Sequence, residues 1–465
     1  MNASATARYS ITLPVSQQAA FDYHARPGAL QRLLPPWQNV EIESSDNSLT
    51  EGSRVVLRMR VGGLPVRWVA QHTAYDPPNA FEDVQLEGPF EHWHHRHEFT
   101  ALGEDRCELI DSLTYKIPGG SIGERIGERR IRDQLDQMFA FRQATILGDL
   151  QLAAAHPLPS QRIALSGSRG LVGSHLQNLL TVLGHQVRPI VRKASGGDEE
   201  EIAVWADDAP LEKLREIDAV IHLAGKPIAA ERWSESVKRE IRESRVRKTR
   251  QLCERLAKLD GEGPRTLLCA SATGYYGDRG DELLTEESAA GEGFLAEVAR
   301  EWEQACQPAV EAGIRVVHLR FGVILSPRDG ALPKMLTPTR LGLGGKLGRG
   351  DQWWSWIALD DCLGAIYHAL ARESVQGPVN VVAPTPVRNR EFAQTLARVL
   401  SRPAVLPAPK TALRLMLGEM ADALLLASAR VQPARLEQTN YRFRYPALEP
   451  ALRHLLGRAV VDTSG

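Results

Sequence analysis

Residues 162–192 constrain this chain more than any other stretch. An apolar strand, Arg162-Ile163-Ala164-Leu165, runs into Ser166-Gly167-Ser168-Arg169-Gly170-Leu171-Val172-Gly173. An amphipathic helix follows to Leu183, stops at Gly184, and gives way to a second strand, Gln186 to Val191, that ends at Arg192. Each part answers a demand of a dinucleotide. Gly167 and Gly170 let the backbone turn tightly and approach a pyrophosphate, and Gly173 lets helix and strand pack closely. The helix N-terminus turns unpaired N–H groups and a partial positive charge toward the phosphates. The spacing therefore predicts a cofactor cradle formed by Gly167, Ser168, Arg169, Gly170, Leu171, Val172 and Gly173. An acid at the end of the second strand would hydrogen-bond a ribose 2′-hydroxyl, whereas an arginine accommodates a 2′-phosphate. Val191-Arg192-Lys193 offers no acid before Asp198, and Arg169 adds a second cation. The expected cofactor is NADP(H), with Val191 and Arg192 at its adenosine end.

At 465 residues the chain exceeds one ordinary core, so two or three domains are expected. A net charge of −1 supplies no basic field for nucleic acid. The opening residues, Met1-Asn2-Ala3-Ser4-Ala5-Thr6, lack the apolar core of a signal peptide, and no apolar run approaches membrane-spanning length. Cys107, Cys253, Cys269, Cys306 and Cys362 are scattered without paired or metal-type spacing, which suits small buried hydrophobes in a reducing cytoplasm.

Residues 1–152 read differently from the rest. Short strand-like runs (Tyr9–Leu13, Val40–Ser44, Arg54–Val61, Val66–Tyr75, Ala80–Leu86, Trp93–Thr100, Cys107–Ile117) are separated by turn residues such as Gly62-Gly63, the spacing of an antiparallel sheet. One helical segment covers Ser16–Leu34 and a long one Ser121–Leu152, so a curved sheet around a helix would enclose an apolar groove. Residues 153–160 have linker composition. From residue 161 strands (Ile217–Leu223, Thr266–Ala270, Arg315–Leu325, Val379–Ala383) alternate with helices (Ser234–Leu259, Leu295–Ala312). That alternation predicts a doubly wound parallel α/β sheet. The strand into Leu223-Ala224-Gly225 ends in small residues, which strand-end packing and room for a ligand explain equally.

Several strings carry a resemblance. Ala229-Ala230-Glu231-Arg232-Trp233, Ser271-Ala272-Thr273-Gly274-Tyr275-Tyr276-Gly277-Asp278 and Leu341-Gly342-Leu343-Gly344-Gly345-Lys346-Leu347-Gly348 are three of them. Trp354-Ser355-Trp356-Ile357 and Arg442-Phe443-Arg444-Tyr445-Pro446 complete the set. Over roughly residues 162–460 the chain resembles the atypical short-chain dehydrogenases of the epimerase-like family, relatives of the sugar-nucleotide epimerases. The resemblance implies a Rossmann-like NADP-binding domain over 161–410 and a helical, family-specific extension over 411–465 packed on it. It also implies that Leu223, Ala224 and Gly225 lie against the adenosine and its ribose. Glu240, Arg245, Ser271 and Ile324 fall where relatives approach the cofactor. Phe21-Asp22-Tyr23-His24-Ala25-Arg26-Pro27-Gly28-Ala29-Leu30, then Leu34-Pro35-Pro36-Trp37, together with the element order, resembles the START-like helix-grip superfamily of polyketide cyclases and lipid-binding proteins. An α+β helix-grip domain for an apolar ligand is implied over 1–152.

The catalytic pattern of the superfamily breaks. A tyrosine that moves a proton, and a lysine that lowers its pKa, should lie about 20 residues beyond Tyr276. Phe294 and Val298 stand there instead, and neither transfers a proton. Ser271, Thr273, Tyr275 and Tyr276, just past the fifth strand, are the substitutes on offer, with Ser271, Tyr275 and Tyr276 the catalytic candidates and Ser271 and Ala272 rivals for the position that orients a substrate oxygen. Tyr275 serves stacking or packing equally well.

His92-Trp93-His94-His95-Arg96-His97 invites a metal reading. On a strand His92 and His94 share one face and His95 and His97 the other, so at most two ligands converge from this segment; no Cys or acid pair at metal spacing completes the set, and no metal is expected. Trp353, Trp354 and Trp356 wall a pocket or fill the core. Two functions compete: an NADP-dependent oxidoreductase fused to an apolar-ligand module, and an NADP-binding regulatory protein without turnover, a role linked in some relatives to cell division. The expected partner is a small molecule, apolar or an activated acceptor, with homodimerisation left open.

Overall fold

The computed structural model describes residues 4–61, 63–192, 201–205 and 211–459, without the side chains of 120–126. Gly62, Lys193 and Asp198 lie outside the described residues. The chain divides into two compact units. One takes the residues up to Ala155 with Asn178–Gly184 and the segment from Leu456; the other takes His156–Gln177 and His185–Leu455. Among the described residues no helix is long and apolar enough to cross a membrane. All five cysteines are buried and unbridged.

The first unit is an antiparallel sheet with a long helix. Its strands are β1 (Ala5–Leu13), β2 (Glu41–Ser45), β3 (Arg54–Val61), β4 (Leu64–Asp76), β5 (Ala80–Glu87), β6 (His92–Gly103) and β7 (Arg106–Lys116), in the order β1-β7-β6-β5-β4-β3-β2. The segment expected as one helix over Ser16–Leu34 is two, α1 (Gln17–Ala25) and α2 (Ala29–Leu33). The proline at 27 drives Arg26 to extended backbone, and Gly28 turns at φ +92°. Ser16 caps α1, its hydroxyl accepting from the Ala19 amide at 3.3 Å. Helix α3 (Gly120–Ala155) lays Leu135, Phe139, Ile146 and Leu150 toward inward-facing Phe81, Trp93, Phe99, Leu109 and Leu113. Deep in this core the Arg32 guanidinium grips Asp149 through two 2.8 Å hydrogen bonds, and the Tyr23 hydroxyl donates to the same carboxylate at 2.9 Å.

The second unit is α/β. After β8 (Arg162–Ser166) come α4 (Leu171–Val182), β9 (Gln186–Val191), β10 (Ile202–Ala203), α5 (Glu212–Arg215) and β11 (Ala219–His222). They are followed by α6 (Glu235–Ala257), β12 (Thr266–Ala272), β13 (Leu283–Leu284), α7 (Phe294–Gln304), α8 (Gln307–Glu311) and β14 (Arg315–Phe321). The remaining elements include β15 (Val323–Leu325), α9 (Ala331–Arg340), β16 (Trp353–Trp354), β17 (Trp356–Ala358), α10 (Leu359–Ala371) and β18 (Gly377–Val381). The main sheet runs β10-β9-β8-β11-β12-β14-β18, every neighbouring pair parallel. Its order reverses between β8 and β11, and ligands of such sheets bind outside the carboxyl ends of the strands at that switch point.

Two elements are shorter than expected. The strand over Arg315–Leu325 breaks at Gly322, where a Cβ would come within 2.5 Å of the Ser355 carbonyl oxygen, and β15 leaves the sheet to pair with β17. The helix over Leu295–Ala312 divides into α7 and α8. Trp354 and Trp356 are buried, while Trp353 lies under the Arg388 and Arg430 guanidinium groups, each 4.6 Å from its ring.

Candidate functional site

At the switch point the glycine loop is defined by what a side chain would strike. Gly167 has φ +75°, and a Cβ there would lie 2.9 Å from the Leu223 carbonyl carbon. A Cβ on Gly173 would lie 2.1 Å from the Gly167 carbonyl oxygen, so the first turn of α4 presses directly on the loop. A Cβ on Gly225 would stand 3.3 Å from the Arg245 guanidinium carbon. The ends of β8 and β11 thus meet with no room for side chains at these glycines.

Ser166 and His222, neither singled out from the sequence, lock this junction. The Ser166 hydroxyl accepts from the Leu223 and Ala224 amides (3.1 and 3.2 Å) and shares a 2.6 Å hydrogen bond with His222 Nδ1. With both its lone pairs used, the serine donates to Nδ1, so the imidazole is neutral and its Nε2–H faces Thr249 Oγ1 at 3.0 Å. Burial lowers the His222 pKa to about 4, in agreement with that assignment.

The remaining candidate cofactor residues separate. Arg169 and Arg192 are exposed, and neither forms an ion pair with a described residue. Arg245 is largely buried over the Trp302 ring, 5.1 Å from its centroid. Glu240 points to solvent and pairs with Lys226 at 2.6 Å. Ile324, in β15, is half-buried.

The substitute catalytic residues also differ. Tyr276 is fully buried; its hydroxyl donates to Asn380 Oδ1 at 2.7 Å and accepts from Arg320 at 2.9 Å. Burial pushes its pKa up to about 12. Ser271 is buried and donates to Glu303 at 2.7 Å. Both hydroxyls, expected as catalytic groups, are spent inside the protein. Tyr275 is half-buried, with the Arg320 guanidinium stacked 3.6 Å from its ring centroid and anchored in turn by Glu303 through two 2.8 Å bonds. Arg320 and Glu303 escaped the sequence reading; their only signal is a charge at a buried position of an apolar strand and of a helix. Phe294 opens α7 and rests against Trp233 at 5.1 Å, and Val298 is buried beneath it.

The first unit encloses a cavity of about 1280 Å³ lined by Leu57, Trp68, Phe90, Trp93 and Met138 among others. One wall is polar. Strand register pairs His72 with Asp83, Asp83 with His95, and His97 with Asp111, so these side chains share the inward face. The expectation that no acid completes the histidine pair is therefore corrected: Asp83 and Asp111 arrive from the flanking strands. His95 Nε2 lies 3.1 Å from Asp111 and Nδ1 3.5 Å from Asp83. Burial alone would lower the His95 pKa, but the two carboxylates raise it to about 9. Burial, with the charge on His95, lowers His97 to about 3.

Comparison with known proteins follows these divisions. Residues 163–383 match the NAD dependent epimerase/dehydratase family, 13–139 the polyketide cyclase/dehydrase and lipid transport family, and 408–455 a domain of unknown function. An epimerase family protein of Mycobacterium bovis is 40% identical over 299 residues, 64% of this chain and 98% of its own length. The crystal structure of a nucleoside-diphosphate sugar epimerase from Corynebacterium glutamicum covers 98% of this chain and 91% of its own, at 33% identity and a TM-score of 0.80. The human epimerase family protein SDR39U1, crystallised with NADPH, covers 64% of this chain and all of its own, at 31% identity and a TM-score of 0.58.

Proposed function

The chain belongs to the epimerase family of NAD-dependent epimerase/dehydratase proteins, and from that premise we propose that it is an NADP(H)-dependent oxidoreductase of an activated small-molecule acceptor, fused to an apolar-ligand module. The observation that carries the reading is the cradle at the switch point: Gly167, Gly173 and Gly225, where a Cβ would strike neighbouring atoms, with Arg169 and Arg192 exposed and without an ion-pair partner among the described residues. The NADPH in the crystal structure of the 31% identical human protein supports the same cofactor.

Gly167 to Gly173 and the N-terminus of α4 bind the pyrophosphate in this reading, and Arg192, with Arg169, takes the 2′-phosphate. Leu223, Ala224 and Gly225 leave space for the adenosine ribose. The bound cofactor supplies hydride chemistry. Of Ser271, Tyr275 and Tyr276, only Tyr275 retains exposure, so it is the side chain available to hold or move a proton. The absence of a tyrosine–lysine pair favours quinones or enones, whose reduced anions are already stabilised, over simple ketones. Five buried, unbridged cysteines support a cytoplasmic setting. The test is NADPH oxidation with a quinone, an enone and an unactivated ketone. The ketone is expected to react about 10²–10⁴-fold more slowly, the usual effect of a missing general acid. Equal rates on all three would refute the reading.

A further inference from the structure

The polar wall of the first unit's cavity has a geometry that the proposed oxidoreductase chemistry does not use. One ligand atom from each of Asp83, His95 and His97 can be chosen so that all three lie within 4.8 Å of one another. We propose that these residues form a binding site for a divalent first-row transition cation, with its open coordination positions facing the cavity.

Register makes the site. Asp83 and His95 are directly paired across β5 and β6, and His97 follows two residues along β6, on the same face. The sheet thus presents two imidazoles and a carboxylate as a rigid triangle, and such a set suits Zn²⁺, Fe²⁺ or Co²⁺ rather than the all-oxygen ions. His95 Nδ1 and Asp83 Oδ2 are 3.5 Å apart, long for a hydrogen bond. Ligand atoms around a tetrahedral ion with bonds of about 2.0–2.1 Å stand roughly 3.3 Å apart, so the ion fits between them with little movement.

The surroundings are those of a metal ligand set. His95 Nε2 faces Asp111 Oδ1 at 3.1 Å, which fixes the ring as a carboxylate fixes a ligating imidazole. His72, opposite Asp83 and more than nine-tenths buried, leaves Nδ1 without a hydrogen-bond partner among the described residues, and so does His97 Nδ1, which lies 2.7 Å from Asp111 but out of line with it. Arg142 Nε, on α3 and also lining the cavity, has no hydrogen-bond partner among the described residues either. Such donors and acceptors suit a polar ligand or water held on the cation. His92 and His94 lie on the outer face, where His94 pairs with Glu82, and they serve as the control.

The test uses the full-length protein, stripped with chelator, reloaded with Zn²⁺ or Co²⁺ and dialysed. One ion per chain is expected, with a visible Co²⁺ band of a four- or five-coordinate site. Asp83→Asn and His97→Gln should weaken binding by about 100-fold, the upper end of what even an outer hydrogen-bond partner costs, while His94→Gln should not. Circular dichroism checks that the variants fold. If one does not, the parent's Co²⁺ spectrum decides, because a weak six-coordinate aquo-like band overturns the proposal. Substoichiometric metal, or an ion that survives both ligand changes, also overturns it.

Discussion

In the proposed cofactor site Arg192 acts through position rather than packing. It is exposed at the end of β9 with no ion-pair partner among the described residues, so its charge is available to a 2′-phosphate. Arg192→Asp is expected to weaken NADPH binding roughly tenfold to hundredfold in a cofactor-fluorescence titration while leaving NADH binding little changed. The two adjacent tyrosines should separate cleanly. Tyr276→Phe strips a buried hydroxyl from Asn380 and Arg320 and should cost about 1–3 kcal/mol of stability in a denaturant titration. Tyr275→Phe should leave stability intact and lower kcat/KM for acceptor reduction. His222 gives a pH signature. Burial holds its folded pKa near 4, below the ordinary histidine value, so the unfolded chain binds the proton more tightly. Its contribution is therefore complete above about pH 6.5 and is lost as pH falls toward 4, to the extent of about 2–3 kcal/mol. His222→Asn should flatten the difference between unfolding midpoints at pH 7 and pH 4.5; an unchanged difference would assign the acid sensitivity elsewhere.

At the scale of elements, α4 depends on one missing side chain. Gly173→Ala would place a methyl group 2.1 Å from the Gly167 carbonyl oxygen, and backbone cannot move aside as a flexible side chain can. Loss of NADPH binding, with destabilisation of roughly 1–3 kcal/mol, is expected from calorimetry and thermal unfolding. That glycine was legible in the sequence because a tight loop between strand and helix is a local device. So were the strands of both sheets except the two-residue β10, which is too short to show a period of its own. The breaks were not. Pro27 and Gly28 interrupt a stretch whose helical spacing resumes at Ala29, and nothing near Gly322 in the sequence announces the Ser355 carbonyl oxygen that a Cβ there would meet at 2.5 Å. Asp83 and Asp111 were hidden for a related reason. Each lies on a different strand from the histidines, and only register brings them to one face, although a polar residue at inward parity, as in Trp93-x-His95-x-His97-x-Phe99, is a trace of that arrangement. Arg320 and Glu303 needed the packing of α7 on the sheet before either could be seen to hold Tyr275.

For the whole molecule, the cavity of the first unit, at about 1280 Å³, exceeds the roughly 300–1,000 Å³ usual for small-molecule sites. Native mass spectrometry after mild purification is expected to find an apolar passenger of lipid or quinone type; a uniformly ligand-free spectrum would count against the module's proposed role. The make-up of that unit also bears on how the chain is born. The segment from Leu456 belongs with the residues before Ala155, yet about 300 residues of the second unit are translated between them. At roughly 5–20 residues per second the ribosome takes on the order of 15–60 s to cover that interval. During it the nascent sheet and its long helix wait without their last piece, exposed to chaperones and to any small molecule that can enter first.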